Sequence, residues 1–153
     1  VMPLVWQAAG DPARVRVVTS SHVTADMMKT NDIVYVGYLS SLRLLQGPVF
    51  ERSRYMIGAT YDELVEKKTG RSFTSGAGAA GGDTPNRDYG YLAAFRGPAG
   101  NRDIGVMQTA EIAADRRSLD ALPKAAPGGL EALYAVDGLG RTALAARPVT
   151  PSK

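Results

Sequence analysis

The chain has 153 residues, 44% of them apolar, with 18 Lys and Arg against 15 Asp and Glu and a formal net charge of +3. That length suits one domain with a sizeable core, and the composition argues against wholesale disorder. No apolar run nears the roughly 18 residues of a membrane span; the absence of cysteine removes disulfides, thiolate catalysis and Cys-based metal sites, and a lone histidine argues against zinc.

The opening Val1-Met2-Pro3-Leu4-Val5-Trp6 lacks the basic n-region and long apolar stretch of a signal peptide. Val is an unusual natural first residue, so the expectation is a single α/β domain, residues 1–153, belonging to a larger protein. Val15–Val18 reads as a strand and Val23–Lys29 as a short helix with Ala25, Met27 and Met28 as its apolar contacts. Asp32–Gly37 reads as a second strand. Its unbroken Ile33-Val34-Tyr35-Val36 suggests a central position covered on both faces. Leu42, Leu44 and Leu45 predict a short helix stopped by Gly47-Pro48. Such alternation argues for βαβ units and a parallel core to the sheet.

Arg54–Gly58 is a further strand candidate. Tyr61–Lys67 fits either a helical turn or a strand paired with Arg71–Thr74 through Lys68-Thr69-Gly70; the turn residues and Phe73 favour the hairpin. Residues 76–86 are a flexible Gly-rich loop by composition. Tyr89–Phe95 and Arg102–Met107 flank Gly97-Pro98-Ala99-Gly100-Asn101, the clearest hairpin signal in the chain. Ala110–Leu122 predicts a helix with Ile112, Ala113, Leu119 and Leu122 on one face, ended by Pro123 and Pro127-Gly128-Gly129. Leu130–Val136 alternates like a strand, with a helix the alternative, and Asp137-Gly138-Leu139-Gly140 turns it into Thr142–Val149. The expected fold is a three-layer, Rossmann-like or flavodoxin-like mixed sheet, with parallel strands early and antiparallel hairpins late.

Three apolar runs in this pattern end in small polar residues. In an open α/β sheet, free N–H groups and hydroxyls gather at such strand ends and bind ligands. The candidate ligand-binding residues are therefore Thr19, Ser20, Ser21, Gly37, Tyr38, Ser40, Ser41, Gln108 and Thr109, with Arg54 or Arg43 supplying positive charge. The expected ligand is small, polar and anionic, and no cofactor is implied.

Other motifs carry less. Gly76-x-Gly78-x-x-Gly81 matches the dinucleotide fingerprint in letters, but no helix pattern follows it to aim N–H groups at a pyrophosphate. Ser20-Ser21-His22 places nucleophile types beside the only imidazole, which leaves a Ser20- or Ser40-dependent hydrolase or transferase, oriented by Asp26, as the alternative function. The Gly-x-Ser-x-Gly elbow and the Walker loop are absent. Capping of the following helices explains the same serines without chemistry. Asp62-Glu63 reads as a solvated turn, because neighbours in sequence diverge on either a strand or a helix. The basic residues are scattered, without the clustered stripe of a nucleic-acid binder.

The segments Asp32–Leu42, Ser53–Gly58, Tyr61–Leu64, Arg87–Tyr91, Phe95–Asn101 and Glu131–Tyr134 resemble C-terminal α/β modules of uncharacterised bacterial regulatory or membrane-linked proteins. The resemblance covers residues 15–149 and carries no catalytic motif. It implies a sensory or regulatory domain whose partners are other domains of its parent chain, a small ligand or a second copy, with no direct contact to nucleic acid or membrane. A purely structural oligomerisation domain is the remaining alternative. A soluble, cytoplasmic setting is the expectation; a membrane-linked parent and a periplasmic location both stay open.

Overall fold

The computed structural model describes residues 9–60, 63–74, 87–100, 102–108, 130–137 and 145–148. Its elements, in chain order, are α1 (Ala25–Thr30), β1 (Ile33–Val36), α2 (Gln46–Arg52), β2 (Tyr55–Ile57), β3 (Leu64–Glu66), β4 (Ser72–Phe73), β5 (Arg87–Arg96), β6 (Asp103–Met107), β7 (Leu130–Asp137) and β8 (Ala145–Pro148). Short 3₁₀ turns at Pro12–Arg14, Ser20–His22, Leu39–Ser41 and Arg43–Leu45 connect the early elements.

The larger sheet has the strand order β1-β6-β5-β7-β8. Only β1 and β6 run parallel, with Ile33 beside Ile104 and Val36 beside Met107. The other pairs are antiparallel, with Leu92 opposite Met107, Tyr91 opposite Leu133 and Val136 opposite Ala146. The turn between β5 and β6 closes through Gly97 N–H to Arg102 C=O at 2.5 Å and Gly100 N–H to Gly97 C=O at 2.9 Å. Gly100 stands there at φ +74°, a conformation that side chains disfavour. The smaller sheet, β2-β3-β4, is an antiparallel meander whose β3–β4 turn closes on Gly70 at φ +71°.

Strand alternation decides which residues form the core. Ile104 and Val106 of β6, Tyr91, Ala93 and Phe95 of β5, and Leu133 of β7 point to one face and are buried. Ile33 and Tyr35 of β1 pack against the same cluster. Val49 and Phe50 of α2, Leu39, Leu42 and Leu45 from the turns, and Tyr55, Leu64 and Phe73 of the small sheet cover that face. Aromatic contacts bind the layers together: Phe50 stacks on Tyr91 at 5.8 Å, and Tyr55 meets Tyr91 edge-on at 6.0 Å. Each such pair adds about 0.5–1.5 kcal/mol beyond its buried area.

This architecture overturns the three-layer Rossmann-like or flavodoxin-like expectation. The described chain is dominated by strands, its helices are short, and a single parallel pair replaces a parallel core. Val15–Val18 forms no strand; Val17 is 75% exposed, so its β-branched run has no apolar layer to pack on. β1 is an edge strand, not a central one. Gly47-Pro48 opens a helix instead of stopping one, because Pro48 lies in the first turn of α2, where its missing N–H has no partner to lose. The predicted loop 76–86 and helix Ala110–Leu122 lie outside the described residues. Among those described, no helix is long and apolar enough to cross a membrane.

Candidate functional site

The parallel β1–β6 pair brings two of the three expected strand tips together. Gly37 N–H donates to Met107 C=O at 3.1 Å, and Gln108 N–H donates to Tyr91 C=O at 2.9 Å, so both exits leave the sheet side by side. Gly37 turns the chain at φ +154°, and a Cβ there would come within 2.9 Å of the Tyr35 hydroxyl. That hydroxyl donates to Tyr38 C=O at 2.6 Å, pinning the turn. Ser40 and Ser41 follow on an exposed 3₁₀ turn, anchored by the fully buried Leu39 and Leu42. Thr109 lies outside the described residues.

Gln108 stays on the core face after Ile104 and Val106, 5% exposed. Its Oε1 is buried and has no hydrogen-bond partner among the described residues. Buried amides are nearly always paired, so an orphaned acceptor at a strand tip is a place where a donor is wanted.

The Thr19, Ser20 and Ser21 group is not a strand tip. It forms a turn that packs against Arg43–Leu45. Thr19 Oγ1 lies 2.9 Å from Ser21 Oγ and 2.8 Å from His22 Nδ1, so the hydroxyl at the imidazole belongs to Thr19 rather than Ser20 or Ser40. The imidazole stands exposed to solvent. Arg43, on the neighbouring turn, holds a positive φ of 50°.

Arg54 sits away from the strand tips. Its Nε donates to Glu131 Oε2 at 3.0 Å and its backbone N–H to the same oxygen at 3.1 Å. Ser53 donates to the other oxygen, Oε1, as does the Tyr91 hydroxyl at 2.6 Å. Ser53 Oγ in turn accepts from Tyr55 N–H at 2.9 Å. The Tyr91 hydroxyl is held far above the usual phenol range, first by burial and then by the Glu131 charge. Every group in this cluster is satisfied, and its geometry is that of a tie between the two sheets.

A second feature escaped the sequence pattern. Val34 and Val36 point away from the core and are 52% and 42% exposed; Tyr38, beyond the turn at Gly37, is 60% exposed. β1 ends the sheet, and among the described residues no strand pairs with its outer side. The bond from Gly37 to Met107 sets the phase: Ile33 and Tyr35 turn their peptide groups to β6, and Val34 and Val36 turn theirs outward. The outcome is an apolar, uncharged strand whose outer side pairs with no strand among the described residues. The continuous apolar run signalled burial on both faces and so hid this exposure.

Among the described residues, no group of His, Asp and Glu is placed to hold a metal ion. No protein-family model matches the chain, and no curated protein or solved structure is significantly similar to it.

Proposed function

We propose that the chain is a protein-interaction domain whose docking element is the edge strand β1. The observation that carries this reading is the uncharged pair Val34 and Val36, exposed on a strand whose outward peptide groups have no partner strand among the described residues. An edge of that kind adds an extended segment through main-chain hydrogen bonds, while side chains at alternate positions select it. Edges left without charge are a hazard unless they are used.

The test is amide exchange by NMR during titration with extended peptides of alternating β-branched residues. The Val34 and Val36 amides gain protection, while those of Ile33 and Tyr35, already turned to β6, do not change. Peptides that alter none of these amides, or all four equally, overturn the reading.

A second reading is favoured by Gln108. Its buried Oε1, without a hydrogen-bond partner among the described residues, supports a small polar molecule that brings a hydrogen-bond donor to the paired tips of β1 and β6. Arg54 is engaged by Glu131, so it gives no support to the anionic part of the expected ligand. Calorimetry with nucleotides, sugar phosphates and hydroxylated organic acids tests this. Binding that survives Gln108→Leu would count against it.

A further inference from the structure

We infer that Thr19 is a modification site, the phosphoacceptor for a kinase that recognises basic segments. Neither the β1 edge nor Gln108 enters into it. Residues 12–25 contain Arg14 and Arg16 and no aspartate or glutamate. Among the described residues neither arginine has a salt-bridge partner. Both are exposed, and Val15 between them is extended at φ −97° and ψ 119°, so the two side chains leave the backbone on the same side. Val17 and Val18 continue the run, 75% and 37% exposed, without joining a sheet, and Thr19 is extended at φ −76° and ψ 153°. The segment presents two cations, an exposed extended stretch and then a hydroxyl. A basophilic kinase reads a substrate in that form, lying extended in its cleft with the basic side chains on carboxylates.

Competing hydroxyls are engaged or covered. Ser72 follows Arg71 but donates to Glu63, and Ser53 is buried against Glu131. Ser20 is half-buried and already inside the 3₁₀ turn. Thr19 is exposed and its hydroxyl caps no N–H; Oγ1 lies 2.9 Å from Ser21 Oγ and 2.8 Å from His22 Nδ1. Transfer of the γ-phosphoryl of ATP forms the Oγ1–P bond and breaks the bond from that phosphorus to the ADP oxygen; the hydroxyl proton passes to the catalytic carboxylate of the kinase. The product sets about two negative charges beside the Ser21 hydroxyl and the His22 imidazole, where charge-assisted hydrogen bonds form. The turn packs against Arg43–Leu45, and no aspartate or glutamate occurs in residues 33–50 to repel the new charge.

The experiment treats the full chain with ATP, magnesium and a basophilic kinase, the catalytic subunit of cAMP-dependent protein kinase, in parallel with an acid-directed kinase. A single phosphoryl group should enter at Thr19, from the first enzyme alone, as read by intact mass and peptide sequencing. Thr19→Ala should abolish incorporation. Arg14→Ala combined with Arg16→Ala should slow it at least ~tenfold while leaving the circular dichroism unchanged, since both side chains are exposed. The chain has one histidine, so its ring resonances are unambiguous in NMR. After phosphorylation His22 should titrate at least about half a pH unit higher, because an adjacent anion favours the imidazolium; Arg43, on the turn packed against it, is the charge that opposes the rise. Incorporation chiefly at another hydroxyl, a rate indifferent to the two arginines, or an unmoved His22 titration overturns the proposal, as does no incorporation at all.

Discussion

The Tyr91 hydroxyl on β5 donates 2.6 Å to Glu131 Oε1 on β7, and that carboxylate adds a polar tie to the aromatic contacts between the two sheets. The residues sit diagonally across the ladder, since Tyr91 faces Leu133 and Glu131 faces Ala93. The same carboxylate receives Ser53 and Arg54 from the segment that leads into β2. A small sheet with little core of its own is thereby fixed to the aromatic layer over the large one.

Removing Glu131 strands its donors. Glu131→Ala should lower stability by about 2–3 kcal/mol, because the Ser53 and Tyr91 hydroxyls lose their acceptor in a buried site. Arg54 is 44% exposed and its ion pair adds little. Glu131→Gln keeps an acceptor oxygen and should cost less. Urea denaturation measures both; a loss below about 0.5 kcal/mol for the alanine variant would show that the tie is not needed.

Tyr91 also sets an alkaline limit. A phenol raised by burial holds its proton in the folded state after the unfolded chain has released it. Its contribution is complete below the unfolded value of about 10 and is lost as pH rises above it. Stability should therefore fall on the alkaline side, and Tyr91→Phe should flatten that fall while costing a little at neutral pH. An unchanged alkaline slope in the phenylalanine variant would refute this.

Acid acts at a different place. The exposed Glu63 carboxylate is held below its usual range, chiefly by the Ser72 hydroxyl and then by the Thr60 N–H, with Thr60 Oγ1 and Ala59 N–H helping. A lowered value means its contribution is present above the unfolded pKa and disappears as pH falls through the folded one. The amides of Ala59 and Thr60 should shift together in an NMR acid titration, and Ser72→Ala should move that transition to higher pH. Independent midpoints for the two amides would argue against a shared carboxylate.

What could be read from sequence was what local spacing determines. Gly97-Pro98-Ala99-Gly100-Asn101 announced the β5–β6 hairpin, and Lys68-Thr69-Gly70 the β3–β4 turn, because a turn's requirement for particular backbone angles is written into adjacent residues. Ile33–Val36 was legible as a strand but not as an edge, since the same residues suit either place until the neighbouring strand is known. Val15–Val18 shows the converse: strand-forming residues with nothing to pair against. The Glu131 cluster joins groups 77 and 78 residues apart, a separation no local pattern reports. Gln108 and Gly37, both expected at strand tips, leave the sheet side by side, though among the described residues that sheet holds one parallel pair and not a parallel core.

Gln108→Leu separates a structural residue from one awaiting a ligand. With Oε1 buried and without a partner among the described residues, an apolar side chain of similar size removes a desolvation cost and should raise stability by up to about 1 kcal/mol. A fall in stability would mean that the amide is already satisfied by bound water, which removes the observation behind the small-ligand reading.

The two turns beyond β1 offer opposite substitutions. Arg43 holds φ +50° with a side chain that resists it, whereas Gly37 holds φ +154° with none. Arg43→Gly relieves about 1 kcal/mol of backbone strain but loosens the unfolded chain, for a net gain of roughly 0.5 kcal/mol. Gly37→Ala should cost about 1–3 kcal/mol, because the strained backbone persists and the new methyl crowds the Tyr35 hydroxyl out of its bond to Tyr38. Thermal unfolding of both variants, with the Tyr38 exit followed by NMR, checks the pair. If Gly37→Ala proves neutral, the turn can relax, and the close approach of the β1 and β6 exits does not depend on glycine.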